Sequence, residues 1–239
     1  MQPYFFPYLG YFQLIAASDM FVLHDDVQYI KHGWVNRNQI LLRGGARMIT
    51  FPVRKGSHSL PINARQYVSD VQARKDLLNL IRTAYAQAPC FEDVFPLVEQ
   101  AFTFDDLNVA HFNENLIRRT AAFIGIDRRI IVSSEMDKNN TLAGEARVID
   151  ICEALGASTY INPIGGTALY DHNHFEAVGI RLRFLKSSNT PYRQGDQPWM
   201  PSMSIIDVLM YNPTEAVRSL LNACTMSSVA DVQAAQPSA

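Results

Sequence analysis

His24, Asp25 and Asp26 follow directly on the apolar run Met20-Phe21-Val22-Leu23, a short stretch able to accept and hand on a proton. A carboxylate beside an imidazole orients the ring and raises its basicity, which suits general-base work. If the run is a strand, successive side chains alternate between its faces. His24 and Asp26 then share one face while Asp25 points to the other. Asp26, with His24 beside it, is therefore the candidate base. Aspartate also caps and turns a chain cheaply, a role that suits Asp25 better.

Gln28-Tyr29 and Trp34-Val35-Asn36-Arg37-Asn38 come next. Arg37 can clamp a carboxylate or phosphate with two parallel bonds. Asn36, Asn38 and Gln28 each offer donors and acceptors for reading a sugar or an amide. Tyr29 joins the cluster, and Trp34 supplies a stacking face. The same amides could instead satisfy the backbone of an ordered loop, and both readings stand. His32 belongs to an exposed Lys-His-Gly turn and is expected to face solvent.

The opening residues Met1-Gln2-Pro3-Tyr4-Phe5-Phe6-Pro7-Tyr8-Leu9-Gly10-Tyr11-Phe12 contain no glycine-rich repeat that could cradle phosphate. Two prolines stiffen the segment. Its phenylalanines fit a core, whereas Gln2 and Tyr4 fit a core edge or a ligand equally well. A second group lies at Tyr160-Ile161-Asn162-Pro163-Ile164-Gly165-Gly166, with Tyr170-Asp171 behind it. A strand that ends in a two-glycine loop presents amides to an oxyanion or phosphate. Asn162, Gly165, Gly166, Tyr170 and Asp171 are thus candidate substrate-binding residues. His172 and His174 alternate as metal ligands do, but without a third ligand no metal site is expected. Cys90, Cys152 and Cys224 have no neighbouring base or glycine elbow to support a covalent mechanism.

The elements that must position these groups read as follows. Pro7 followed by Leu9, Phe12, Leu14 and Ile15 predicts a short helix ended by Ser18-Asp19. Met20–Leu23 reads as a buried strand, and residues 47–53, after a Gly44-Gly45 turn, as another. Helical periodicity fills about residues 73–124 in three stretches. A strand at 130–132, a helix at 141–155 with Gly156 as its cap, strands at 159–161 and 180–185, a short helix near His174 and helices at 205–211 and 214–221 follow. The residues from 226 on are small and polar and predict a disordered tail. The alternation predicts an α/β fold, with a largely parallel, Rossmann-like sheet and a helical middle segment. It is expected to form one domain over residues 1–225, with a helical insert at about 73–124. Ligands of such sheets lie beyond the carboxyl ends of strands, so Asp25-Asp26 and the Asn162–Gly166 loop are expected to share a cleft.

A chain of 239 residues can bury a large core, and 48% hydrophobic with 18% charged residues is ordinary globular composition. A net charge of −2 leaves no overall electrostatic footprint for nucleic acid. Three scattered cysteines fit a reducing cytoplasm. No apolar run is long enough to span a bilayer, and no leader-like segment opens the chain. A cytoplasmic protein with neither nucleic-acid binding nor membrane insertion is the expectation.

Taken together, MQPYFFPYLGYFQLI, SDMFVLHDDVQYIKHGWVNRNQI, the strand Thr50 to Val53, GASTYINPIGGTALYD with FEAVGIRLRF, and Tyr192-Arg193-Gln194 through Pro201-Ser202-Met203-Ser204-Ile205-Ile206-Asp207 resemble the WbqC-like protein family. The resemblance runs to about Tyr211. Relatives usually carry a few apolar residues ahead of the Gln-Pro motif, forming a first strand. Here Met1 stands directly on the motif, so either the start is late or the sheet lacks that strand. The resemblance implies an enzyme of surface-polysaccharide (O-antigen, lipopolysaccharide) or specialised-metabolite assembly, transferring an acyl or aminoacyl group, a glycyl unit among them, to an amino sugar or other amine. It implies a small-molecule substrate (sugar nucleotide or amine), an acyl or peptidyl carrier protein as candidate partner, a thioester donor and no resident cofactor. Asp26 with His24 would take the amine's proton, Arg37 and Asn36 would hold the donor's anionic part, and the Gly165-Gly166 amides would support an oxyanion.

A weaker architectural likeness is to nucleotidylyltransferases of the HIGH type, which hold nucleotide phosphates with histidines in the first turn. This chain has no histidine between Gln2 and Phe12, which makes nucleotidyl or adenylyl transfer the second reading. A non-catalytic module that binds a sugar nucleotide or a partner is the third.

Overall fold

Residues 1–188, 190–196 and 198–234 are described in the computed structural model. Contacts divide the chain into two units, Met1–Ser134 with Asn189–Asn222, and Glu135–Ser188 with Ala223–Ala239.

In the first unit helix α1 (Leu9–Ala17) follows Pro7-Tyr8 and stops at Ser18, whose amide and hydroxyl turn back onto the carbonyls of the last turn. Strand β1 (Met20–Leu23) comes next. Strands β2 (Arg37–Leu42) and β3 (Gly45–Thr50) form an antiparallel hairpin with Leu42 opposite Gly45. Its two turn residues, Arg43 and Gly44, take φ of 52° and 76°, the left-handed geometry that matches strand twist in a tight hairpin. Helices α2 (Val71–Tyr85), α3 (Phe91–Phe102) and α4 (Val109–Phe123) supply the helical middle segment. Asp70 and Asn108 cap α2 and α4 by accepting first-turn amides. Strand β4 (Arg129–Val132) then pairs in parallel with β1, Phe21 opposite Ile130.

The second unit contains α5 (Gly144–Ala154), β5 (Thr159–Pro163), α6 (His172–Ala177) and β6 (Arg181–Ser187). Helices α7 (Ile205–Tyr211) and α8 (Thr214–Leu221) belong to the first unit again. Strand β7 (Cys224–Ser228) and helix α9 (Val229–Ala234) complete the second, where β5 pairs with β6 in parallel and β6 with β7 antiparallel. Val148, Cys152, Phe175, Ile180, Leu182 and Phe184 form this unit's core.

The architecture is mixed α/β, as the alternation of elements predicts. The strands, however, hydrogen-bond as three small sheets of two, two and three strands, so the described residues contain no continuous Rossmann-like sheet. Two local readings explain part of the difference. Arg37 and Asn38 look like loop residues, but Asn38 and Ile40 alternate inward with half-exposed Arg37 and Gln39, and that alternation makes β2. Residues 224–228 have little apolar content, yet they extend the edge of β6, and α9 follows where a disordered tail is expected from 226. Residues 235–239 of that tail lie outside the described residues.

The first unit closes around the chain's own opening segment. Phe5 and Phe6 are buried among Phe51, Tyr67, Phe102 and Phe112, with Phe51 and Tyr67 stacked at 4.3 Å. The segment has no regular structure, so its buried carbonyls need donors from elsewhere. Asn38 Nδ2 donates to Phe5 O at 3.1 Å and Phe6 O at 2.6 Å, Ser204 Oγ donates to Phe6 O at 2.9 Å, and Asn113 Nδ2 donates to Pro3 O at 2.9 Å. These bonds hold Phe6 at φ 41°, a conformation that costs a side-chain-bearing residue free energy.

Asn38→Ala leaves two buried carbonyls without that donor and is expected to lower the unfolding free energy by about 2–4 kcal/mol. Urea unfolding measures it, and unchanged stability would show that the carbonyls are satisfied some other way.

Candidate functional site

At the carboxyl end of β1 the first residue of the chain runs alongside the strand. The Met1 amino group donates to Val22 O at 2.8 Å, and Met1 O accepts from the His24 amide at 2.8 Å. Gln2, half-buried, is thereby fixed near the strand end, and its carbonyl accepts from the Tyr11 hydroxyl at 2.9 Å. Tyr4 packs on Tyr11 at 5.7 Å, and burial raises the phenol pKa values of Tyr4, Tyr8 and Tyr11.

His24, Asp25 and Asp26 lie beyond β1, which ends at Leu23; Asp25 is only 2% exposed and its two neighbours are half-buried. Asp25 is an anchor. Its carboxylate accepts from the Ser134 amide at 2.9 Å, the Ser134 hydroxyl at 2.6 Å and Asn63 Nδ2 at 3.0 Å. Its carbonyl accepts from the Asn63 amide at 2.9 Å. The carboxyl ends of β1 and β4 are thus tied together through Asp25. His24 and Asp26 are held on either side of a residue that cannot move.

The polar cluster that follows divides into two kinds. Asn36 and Asn38 are buried, and both amides work inside the fold. Asn36 donates to Phe51 O at 3.0 Å and accepts from the Tyr29 hydroxyl at 2.8 Å, while Asn38 holds Phe5 and Phe6. Arg37 donates to Gly33 O at 3.1 Å and to His32 O, so its guanidinium shapes the 32–37 turn. Gln28 donates to His58 O at 2.9 Å, and the Arg65 guanidinium lies over the Tyr29 ring at 5.0 Å. Trp34 is 42% exposed, and His32 faces solvent as expected.

Asn162, Gly165, Gly166, Tyr170 and Asp171 all belong to the second unit, whereas the residues above belong to the first. Gly165 and Gly166 lie in a 3-10 helix, Ile164–Leu169, rather than an open loop. A Cβ at Gly166 would displace the side-chain amide of buried Asn162. The Tyr160 hydroxyl bonds to that of Tyr170 at 3.2 Å. An open cavity of about 720 Å3 lies in this unit, with Glu145, Tyr170, Asp171 and His172 among its polar lining and Leu182, Phe184, Val229 and Val232 among its apolar lining. Glu145 also accepts from the Asp171 amide at 2.5 Å and bonds to His174 Nδ1 at 2.5 Å, a contact that raises the His174 pKa. Apolar walls with a few convergent polar groups suit a small organic ligand. The described residues hold no cluster of three metal-binding side chains. Burial pushes the Cys152 thiol up to about 11 and raises Cys90 and Cys224 as well, which disfavours their thiolates at neutral pH.

One polar network escapes a reading along the sequence because its link to Tyr85 spans 122 residues. Asp207, fully buried at the start of α7, accepts from the Tyr85 hydroxyl at 2.8 Å, the Tyr192 hydroxyl at 2.7 Å and Gln194 Nε2 at 2.7 Å. Tyr85 in turn accepts from the Leu41 amide at 3.1 Å. The available signal is a carboxylate in the otherwise apolar run Ile205-Ile206-Asp207-Val208-Leu209.

The model of the WbqC-like protein family matches residues 2–219, and the chain belongs to that family. It is also similar to an uncharacterised protein of Mycobacterium tuberculosis, 26% identical over 221 residues, which span 90% of this chain and 94% of the relative. No solved structure matches the chain.

Burial raises the Asp207 pKa, so the folded state holds this proton more tightly than the unfolded one. The stability gained from protonation is fully present below the unfolded carboxylate value of about 3.9 and is lost as pH rises through the raised folded value. Thermal unfolding between pH 4 and 8 should show this downward slope in the native chain and lack it in Asp207→Asn. Parallel profiles would refute it.

Proposed function

From that family membership we propose that the protein transfers an acyl or aminoacyl group, such as glycyl, from a thioester to the amine of an amino sugar or related acceptor, in the assembly of a surface polysaccharide or specialised metabolite. The observation that carries the reading is the division of labour at the carboxyl end of β1. Asp25 is consumed in three bonds from Ser134 and Asn63, which leaves its half-buried neighbours His24 and Asp26 for the reaction in this reading. The end of a parallel strand is where α/β proteins place reacting groups.

In this mechanism the acceptor nitrogen attacks the thioester carbonyl, a C–N bond forms and the C–S bond breaks. Asp26 takes the proton that the amine loses, and that proton passes to the departing thiolate. His24 assists by holding the proton between the two events. Gln2 and Tyr4, with polar ends beside the strand, orient the acceptor.

Asp26→Asn keeps the side chain's size and is expected to slow transfer by about a hundred- to ten-thousandfold. The assay follows thiol release from an acyl thioester in the presence of an amino sugar, with circular dichroism to confirm an unchanged fold. Full activity in the variant would remove Asp26 as the base.

A further inference from the structure

The chain's charge is strongly polarised along its length. Residues 27–69 carry seven of its 21 Lys and Arg and none of its 23 Asp and Glu, so the remainder holds 14 cations against 23 acids. Lys31, Arg43, Arg47, Arg54 and Lys55 are exposed. No ion pair among the described residues uses a cation of this segment. Arg37, Arg54 and Arg65 bond to neutral carbonyl or hydroxyl oxygens, which fixes the guanidinium groups without cancelling their charge.

The loops that carry Lys31, Arg54 and Lys55 are bonded to one another. The Tyr29 amide donates to Leu60 O at 3.0 Å, Gln28 donates to His58 O, and Arg65 covers Tyr29 while donating to Ser57 O at 2.9 Å and Arg54 O at 2.8 Å. Among these cations Ile30 is 55% exposed and Trp34 42% exposed. Large apolar groups framed by one sign of charge mark a surface that meets another macromolecule, with tryptophan a frequent anchor.

We propose that this face docks an acidic carrier protein that brings the acyl donor, an inference that rests on the transfer reading above. Three features favour that occupant. The cations are spread over two loops and a hairpin, which fits the broad face of an acidic protein better than a single small anion. The surplus of acids in the rest of the chain repels a long polyanion such as nucleic acid. The face also borders the reacting end of β1, since the Asn63 amide bonds to Asp25 O and the Ile62 amide to Val27 O at 2.9 Å. The loop at 57–65 is therefore joined to the backbone beside His24 and Asp26.

The test uses purified holo acyl carrier protein as the probe, titrated against the full chain by fluorescence anisotropy. Lys31→Glu with Lys55→Glu is expected to weaken binding by about tenfold or more, Trp34→Ala by a similar factor, and raised salt to weaken it in the native chain. Lys31→Gln with Lys55→Gln should give a smaller loss and keeps the test open if charge reversal disturbs folding. Turnover of a small soluble thioester should be unchanged in the charge variants, while turnover of the carrier-borne thioester falls. Absence of carrier binding, binding insensitive to both charge variants, or tighter binding of a single-stranded oligonucleotide would overturn the proposal. Charge-sensitive carrier binding without turnover of either thioester would uphold the docking face and overturn acyl transfer.

Discussion

The first unit depends on satisfying main-chain carbonyls that the aromatic opening segment carries into the core. Phenylalanines at positions 5 and 6 give a large free-energy gain on burial, but each brings a peptide group that no helix or sheet completes. Asn38, Asn113 and Ser204 supply the missing donors from β2, α4 and the cap of α7. Their geometry fixes Phe6 in a left-handed conformation and leaves Tyr4 and Tyr8 at the edge of the core. The placement of Met1 against β1, and so of Gln2 beside His24, follows from the same packing.

Within a few residues of sequence, chemically identical groups take different places in the fold. Asp25 and Asp26 are chemically identical. One is buried with three donors, and the other lies half-buried beside it in sequence. Asn36 and Asn38 are anchors as well. Side chains that look like ligand readers in a list of residue types hold the frame on which a proposed reaction centre rests.

Much of the local structure was legible in the sequence because it rests on periodicity and turn chemistry. Leu9 to Ile15, Met20 to Leu23, the three middle helices and the Gly156 cap follow from neighbouring residues alone. The strand at 37–42 was not, because polar side chains alternating with buried ones read as a loop until the partner strand is known. The distribution of strands over three small sheets was hidden for a similar reason, since pairing is a long-range choice. At the candidate site, the strand Met20–Leu23 that leads to His24, Asp25 and Asp26 was readable from the sequence. The Asp25–Ser134 tie and the Asp207–Tyr85 bond were not, because they join residues 109 and 122 positions apart.

The three donors that hold the opening segment lie very unequally along the chain, with separations of 32 residues for Asn38, 110 for Asn113 and 198 for Ser204. As the chain leaves the ribosome, Phe5 and Phe6 precede all three donors and cannot finish their packing until Ser204 has been made. A segment this aromatic spends the whole of synthesis without its last donor, in the interval when apolar surface is most prone to association. Such late closure gives slow folding of high contact order. It makes the amino-terminal motif the final seal of its unit rather than the seed.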